Sequence, residues 1–278
     1  MPSATDSLKP GRPRRVDYHL HTMFSYDSKT SPEAVLERAL EAGLACVCVT
    51  DHDTIEGAVA LTNIRCPEVE IVVGCEFTVE DGSHVIGLHL KDMISEKGVP
   101  MLLEEIQLQG GLVLLPHPFR RSSGIFRTEM RRSDEFVREV LSFTDMVECF
   151  NGGDSYDHNQ KSFAFAMARG LPTVAGSDAH DAAWIGSVFV EYAEADSEHG
   201  TSPRGVFFPA QAPLFENPVK RRLMELYHRH RQSFPPAFDA AYRESRKRLA
   251  GGSRREAAIP PRMQYQFART PRPRDECL

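Results

Sequence analysis

Two imidazoles two residues apart, His19 and His21, follow Asp17 and are followed in turn by Asp27. Side chains alternate along an extended segment, so residues two apart share a face. If Val16 to His19 forms a short strand, both rings project together at its end, as half of a metal site. Ligand types recur along the chain at Asp51-His52, Glu76, His117, Glu148 with Asn151, and Asp178 with His180. Imidazole and carboxylate are donors that suit Zn, Mn, Fe and related divalent ions. Gathered without metal they would accumulate unpaired charge, so one polynuclear centre is the simplest account of them.

The elements that would position these groups are short and regular. Ser31-Pro32-Glu33 has an N-cap, a proline for the first helical position and an acid for the helix dipole. The stripe Ala34, Val35, Leu36, Ala39, Leu40 continues that helix to Gly43. Leu44–Thr50, Val69–Phe77, Leu112–Leu115, Asp145–Phe150, Pro172–Ala175 and Ser187–Tyr192 read as strands, and Asp81-Gly82 turns the chain into a hairpin partner over Ser83–Leu90. Val99–Gln109, Ser133–Ser142 and Asp157–Arg169 read as helices between them. Apolar strands alternating with helices imply a mostly parallel sheet covered on its faces. Ligand types at nearly every strand end favour a ring of strands over an open sheet, because a barrel gathers its site at the C-terminal face.

Composition narrows the class. The chain has 278 residues, ordinary apolar and charged fractions and a net charge of −6. It has no apolar run of the roughly 20 residues that span a bilayer. The first fifteen residues are polar, without the apolar core of a secretory signal, so a cytoplasmic protein with a flexible N-terminus (1–15) is expected. The six cysteines are then expected to be thiols, and Cys46-Val47-Cys48 is spaced for burial in a strand and not for a zinc knuckle. Ala241 to Leu278 carries ten Lys/Arg against four Asp/Glu, a basic tail on an acidic body. The expected layout is a barrel body over 16–192, a helical extension packing on it over 193–250, with a helix at Val219–Arg231, and a disordered Arg/Pro-rich tail over 251–278.

The ordered motifs Asp17-Tyr18-His19-Leu20-His21-Thr22, Asp27, Thr50-Asp51-His52-Asp53-Thr54, Gly74-Cys75-Glu76, Pro116-His117-Pro118 and Ser177-Asp178-Ala179-His180 resemble those of the polymerase and histidinol phosphatase (PHP) family. The Ser83-His84-Val85-Ile86-Gly87-Leu88 segment is similar to its small metal-dependent phosphoesterase branch. The resemblance implies an α/β fold, a distorted (β/α)7 TIM-like barrel, holding two or three divalent ions (Mn, Zn, Fe or Mg) and hydrolysing phosphoesters. Carried over by position, His19, His21, Asp27, His52, Glu76, His117, Asp178 and His180 match family ligands, with Asn151 where some members have a histidine. His19 and His21 are expected to bind the most buried ion with Glu76 and Asp178. Asp17, Asp51 and Asp53 are expected to orient imidazoles. His89 is expected to be structural.

The mechanism that follows uses metal-activated hydroxide and no side-chain nucleophile. Asp27, Asp53 or His84 would protonate the leaving alkoxide, and Arg120 and Arg121 would grip phosphate with paired donors. The expected substrate is a small phosphorylated molecule or a nucleotide. Only forty residues separate Glu76 from Pro116, where that branch often carries an insertion, which suggests a more open pocket. The same centre could serve an exonuclease whose strand is held by the basic tail, although the acidic body disfavours nucleic acid. A barrel retained only as a metal-binding interaction module is the third reading.

Overall fold

The computed structural model describes residues 14–192 and 203–207. The expected C-terminal helices and tail lie outside them.

The chain runs β1 (Arg14–Leu20), α1 (Pro32–Ala42), β2 (Cys46–Val49), α2 (Glu56–Thr62), β3 (Glu70–Thr78), β4 (His84–Leu88), α3 (Val99–Leu108) and β5 (Leu112–Leu115). It continues through α4 (Asp134–Phe143), β6 (Met146–Asn151), α5 (Tyr156–Arg169), β7 (Thr173–Gly176), β8 (Phe189–Tyr192) and β9 (Pro203–Phe207). The strand order is β7-β6-β5-β4-β3-β2-β1-β8-β9. β1, β2 and β3 are mutually parallel, as are β5, β6 and β7, whereas β4 runs antiparallel to both its neighbours. This eight-stranded sheet curls into a nearly closed barrel, with β9 paired antiparallel to β8 beyond it. The seam is drawn together only at the site end: Asp178 N–H donates to His19 O (2.7 Å) and His21 N–H to Ala179 O (2.9 Å).

Local chemistry explains the elements. Ser31 accepts from the Ala34 N–H to cap α1, which ends at Gly43 with φ 67°. Ser133 and Ser155 cap α4 and α5 in the same way. α2 was not expected; it follows Ile55, which offers no capping side chain, and is held by burial of Ala58 and Leu61. Three apolar clusters form the core. Leu20, Val47 and Val49 pack under Val35, Leu36, Ala58 and Leu61, and Phe77, Val85, Val113 and Leu115 pack under Leu102, Leu103 and Ile106. Val16, Cys46, Cys48, Val72, Ile86, Leu88 and Leu114 fill the ring itself. The five described cysteines are free thiols, four of them buried.

Three strands carry an extra residue, and two of them, β1 and β6, lead into the site. Asp17 and Leu20 pair with Val47 and Val49, so β1 spends three steps where β2 spends two. Glu148 and Phe150 pair with Val174 and Ala175, an extra residue in β6. A bulge changes which way the following side chains point. Asp17 and Leu20 thereby pair with β2's Val47 and Val49, and His19 between them turns its ring to Glu76 and Asp178.

Candidate metal centre

The strand ends converge as the barrel predicts. β1 delivers His19 and, one residue past its end, His21; β2 is followed by His52, β3 carries Glu76, and β5 is followed by His117. Asp178 and His180 follow β7. β4 contributes through its first residue, His84, because reversing the strand brings its start to the same mouth, opposite Thr78. Asp53, His117 and Asp178 hold positive φ angles of 53°, 26° and 52°, backbone strain of the kind that collects at functional sites.

His19, His21, Glu76 and Asp178 form one buried group. His19 Nε2 stands 3.1 Å from His21 Nε2 and 3.2 Å from Glu76 Oε2. Asp178 Oδ1 lies 3.4 Å from His19 Nε2 and 3.3 Å from His21 Nε2, and Glu76 Oε2 lies 3.3 Å from His21 Nε2. A tetrahedron with edges of that size has its centre about 2.0 Å from each donor, the bond length of a first-row divalent ion. A second group joins Asp27, His52 and His180 to His21, and a third joins His52, Glu76 and His84. Asp27 Oδ2 is 3.0 Å from His180 Nε2 and 3.4 Å from His52 Nε2. The other Glu76 oxygen, Oε1, accepts from His84 Nδ1 (2.8 Å) and His117 Nε2 (2.9 Å). Glu76 thus faces ligands with both oxygens.

The surrounding groups orient the rings. His19 Nδ1 donates to Glu148 Oε1 (3.1 Å), since a carboxylate only accepts, and this leaves the Nε2 lone pair facing inward. Glu148 Oε2 also accepts from the His117 N–H (2.8 Å) and Asn151 Nδ2 (2.9 Å). Ser25 Oγ donates to Asp51 Oδ1 (3.1 Å) and accepts from His21 Nδ1 (3.0 Å), which turns the His21 Nε2 lone pair inward too. His180 Nδ1 donates to the Asp178 carbonyl (2.9 Å). Two lone pairs facing each other at 3.1 Å need a cation between them. His52 Nδ1, buried without a hydrogen-bond partner and 3.4 Å from Glu76 Oε2, has the same need. The donor set therefore fits divalent ions.

In the ion-free protein, protons fill that role. Burial alone would lower the His19 pKa, but Asp178, Glu76 and Glu148 hold it well above the usual value. Burial likewise opposes His180, yet Asp27 and Asp178 raise it to about 9. Burial would raise the carboxyls. Instead His84 and His19 hold Glu76, and His19 and Arg120 hold Asp178, well below the ordinary range. Burial and the Arg120 charge lower His117. Asp27 is lowered by His180 and His52 against the opposing pull of burial.

The remaining expected residues divide sharply. Arg120 is largely buried, and its Nη2 donates to Asp178 Oδ2 and Asn151 Oδ1, both at 2.7 Å. Arg121 turns away, its side chain 81% exposed and paired with Glu129. Asn151 divides its amide between Arg120, Glu148 and the Gly153 N–H. Asp53 accepts from Lys97 and from the Thr78 N–H, and no imidazole contacts it. Asp17 holds backbone, accepting from the Ser177, His19 and Gly186 N–H groups. Asp51 reaches an imidazole only through Ser25. His89 is exposed, with φ 58°. Sequence reasoning placed Glu148 among the ligand types at strand ends but not as a support, and it passed over Ser25 as a relay and Tyr26, which stacks on His52 with ring centroids 4.9 Å apart. Polar residues inside apolar strands were the available signal for Glu148; Ser25 and Tyr26 gave none. A cavity of about 370 Å³ opens over the centre, lined by Tyr26, Asp27, His52, His84, Arg120 and His180 among others.

Comparisons with known proteins agree with this fold. The PHP domain profile matches residues 17–92 and the PHP-associated profile residues 157–200. An uncharacterised protein of Methanocaldococcus jannaschii is 34% identical over 117 residues, 38% of this chain and 68% of that protein. PsfC from Pseudomonas syringae superposes with a TM-score of 0.55 at 19% identity, over 80% of this chain and 99% of that one. A two-domain protein from Bacteroides vulgatus containing a predicted PHP-like metal-dependent phosphoesterase gives 0.51 at 18% identity, over 66% of this chain. The present chain spans 60% of that structure's length.

Proposed function

The chain belongs to the PHP domain family, and on that premise we propose that it hydrolyses phosphate esters of small molecules or nucleotides at a centre of two or three divalent ions. The observation that carries the reading is the cage of His19, His21, Glu76 and Asp178, whose inward lone pairs require a cation. Asp27, His52 and His180 would hold a second ion, and Glu76 with His117 would be available to a further one. When bound, such ions supply Lewis acidity and lower the pKa of water.

The chain's own residues supply the rest. Arg120 is held by Asp178, Asn151 and, at 3.7 Å from its Nε, Asp154, and it lines the cavity wall, where its guanidinium would meet a phosphoryl oxygen. His84 is held at Nδ1 by Glu76 and lines the cavity, so its Nε2 is placed to give a proton to the departing alkoxide as the ester P–O bond breaks. Asp27 Oδ2 faces His180 Nε2 and His52 Nε2, and Asp27 would serve as a ligand beside them. Asp53, tied to Lys97, and Arg121, tied to Glu129, receive no role. No helix among the described residues is long and apolar enough to cross a membrane.

The test is phosphate release from a broad panel of phosphomonoesters, nucleotides and short oligonucleotides by metal-reconstituted protein. Turnover that a chelator abolishes supports the proposal; inertness across the panel with metal bound refutes it.

A further inference from the structure

Tyr26 combines features that its neighbours' roles do not explain. It is 81% exposed, yet its ring lies nearly parallel to that of His52, at 18°, on the rim of the cavity. One face of the ring is therefore covered by a residue of the centre and the other is open. Met23 (56% exposed) and Phe24 (40% exposed) add apolar surface on the same short loop.

This exposure belongs to a pinned segment. Met23 N–H donates to Thr30 O (2.8 Å) and Ser25 N–H to Thr22 O (3.0 Å). Ser28 Oγ reaches both the His21 carbonyl (3.2 Å) and the His180 carbonyl (3.0 Å). Ser25 Oγ is fixed among Asp51, His21 and the His52 N–H. A tyrosine with an open face on a pinned loop is a ready stacking surface, because aromatic rings attract one another in offset-stacked or edge-to-face arrangements. Its ring lines the same cavity as Asp27, His52 and Arg120.

We propose that Tyr26 is a stacking shelf for a planar ring in the substrate's leaving group, selecting phosphate esters whose alcohol carries a nucleobase or an aryl ring. The proposal rests on the phosphoesterase reading for its phosphate half. The ring half stands on Tyr26 alone.

The experiment compares kcat/KM for AMP, phenyl phosphate, ribose 5-phosphate and glycerol phosphate, using metal-loaded full-length wild type, Tyr26→Phe and Tyr26→Leu. Stacking of one base on one aromatic ring, in an exposed setting, leads to an expected fall of about five- to tenfold in the AMP to ribose 5-phosphate ratio in Tyr26→Leu, mostly through KM. Tyr26→Phe keeps the ratio. A parallel fall with phenyl phosphate assigns the shelf to any planar ring, and a fall confined to AMP assigns it to a nucleobase. An unchanged ratio, including equal loss on ringed and ringless esters through a disturbed His52, overturns the proposal. If no ester is hydrolysed, the phosphoesterase reading fails separately. Equilibrium dialysis of AMP against ribose 5-phosphate then decides: an AMP preference lost in Tyr26→Leu supports the shelf, and equal binding of both overturns it.

Discussion

Glu148→Gln isolates the support beneath the most buried ligands. Glu148 is fully buried and accepts from three donors: His19 Nδ1, the His117 N–H and Asn151 Nδ2. Glutamine keeps the shape and replaces one oxygen with a donor. If the amide nitrogen faces His19, the ring must flip its proton to Nε2, where it blocks the cage. If it faces the other way, two N–H groups meet a third. Either orientation loses at least one hydrogen bond to a charged group, worth about 1.5–3 kcal/mol. That agrees with the roughly 10- to 100-fold loss of metal affinity typical when a group orienting a ligand is removed. Competition titration against a chromogenic chelator at fixed pH measures it, with the metal-induced rise in Tm as a check on folding. A His19→Ala, Glu148→Gln double-mutant cycle shows whether the two act as one unit, since coupled residues are non-additive. Folded Glu148→Gln binding metal as tightly as wild type would refute the reasoning.

Further perturbations follow from the same geometry. A methyl at Gly176 would lie 2.4 Å from His19 Cβ and 2.7 Å from its backbone nitrogen, so Gly176→Ala should pry β7 from β1 and lower stability by about 1–3 kcal/mol in urea unfolding. Arg120→Ala should cut kcat/KM about 10- to 100-fold, whereas Arg121→Ala, removing an exposed pair with Glu129, should leave it within about twofold. His180, raised to about 9 in the ion-free protein, adds stability that is fully present below its unfolded value near 6.5 and is lost as pH rises toward 9. Urea midpoints of ion-free protein should therefore fall across that window, and saturating metal should remove the fall because the ion replaces the proton. A flat profile without metal would contradict it.

The cluster of candidate ligands was legible because His and carboxylate residues rarely gather at the ends of apolar strands, and each strand end announced itself by composition. Their aim was less so. The extra residue in β1 exists only relative to β2, through the pairing of Asp17 and Leu20 with Val47 and Val49, and no pattern in β1 alone reveals it. α2 escaped because seven residues after Ile55 carry neither cap nor a long stripe. Arg120 and Arg121 are identical in type and adjacent, yet one is held by Asp178 and the other by Glu129, a distinction made by the turn after His117. Asp53 shares its motif with His52 but, at positive φ, is tied to Lys97 instead of an imidazole. Glu148 read as a ligand type at a strand end, and its role as a support stayed hidden because its three partners come from β1, the turn after β5 and the end of its own strand.

The central claim is that inward-facing lone pairs of this ring hold ions. Anomalous diffraction from crystals soaked in Mn²⁺ or Zn²⁺ tests it most directly, because it counts and places the ions without reference to activity. The account predicts one ion enclosed by His19, His21, Glu76 and Asp178 and a second at Asp27, His52 and His180. Anomalous density absent from the first cage at saturating metal would contradict it.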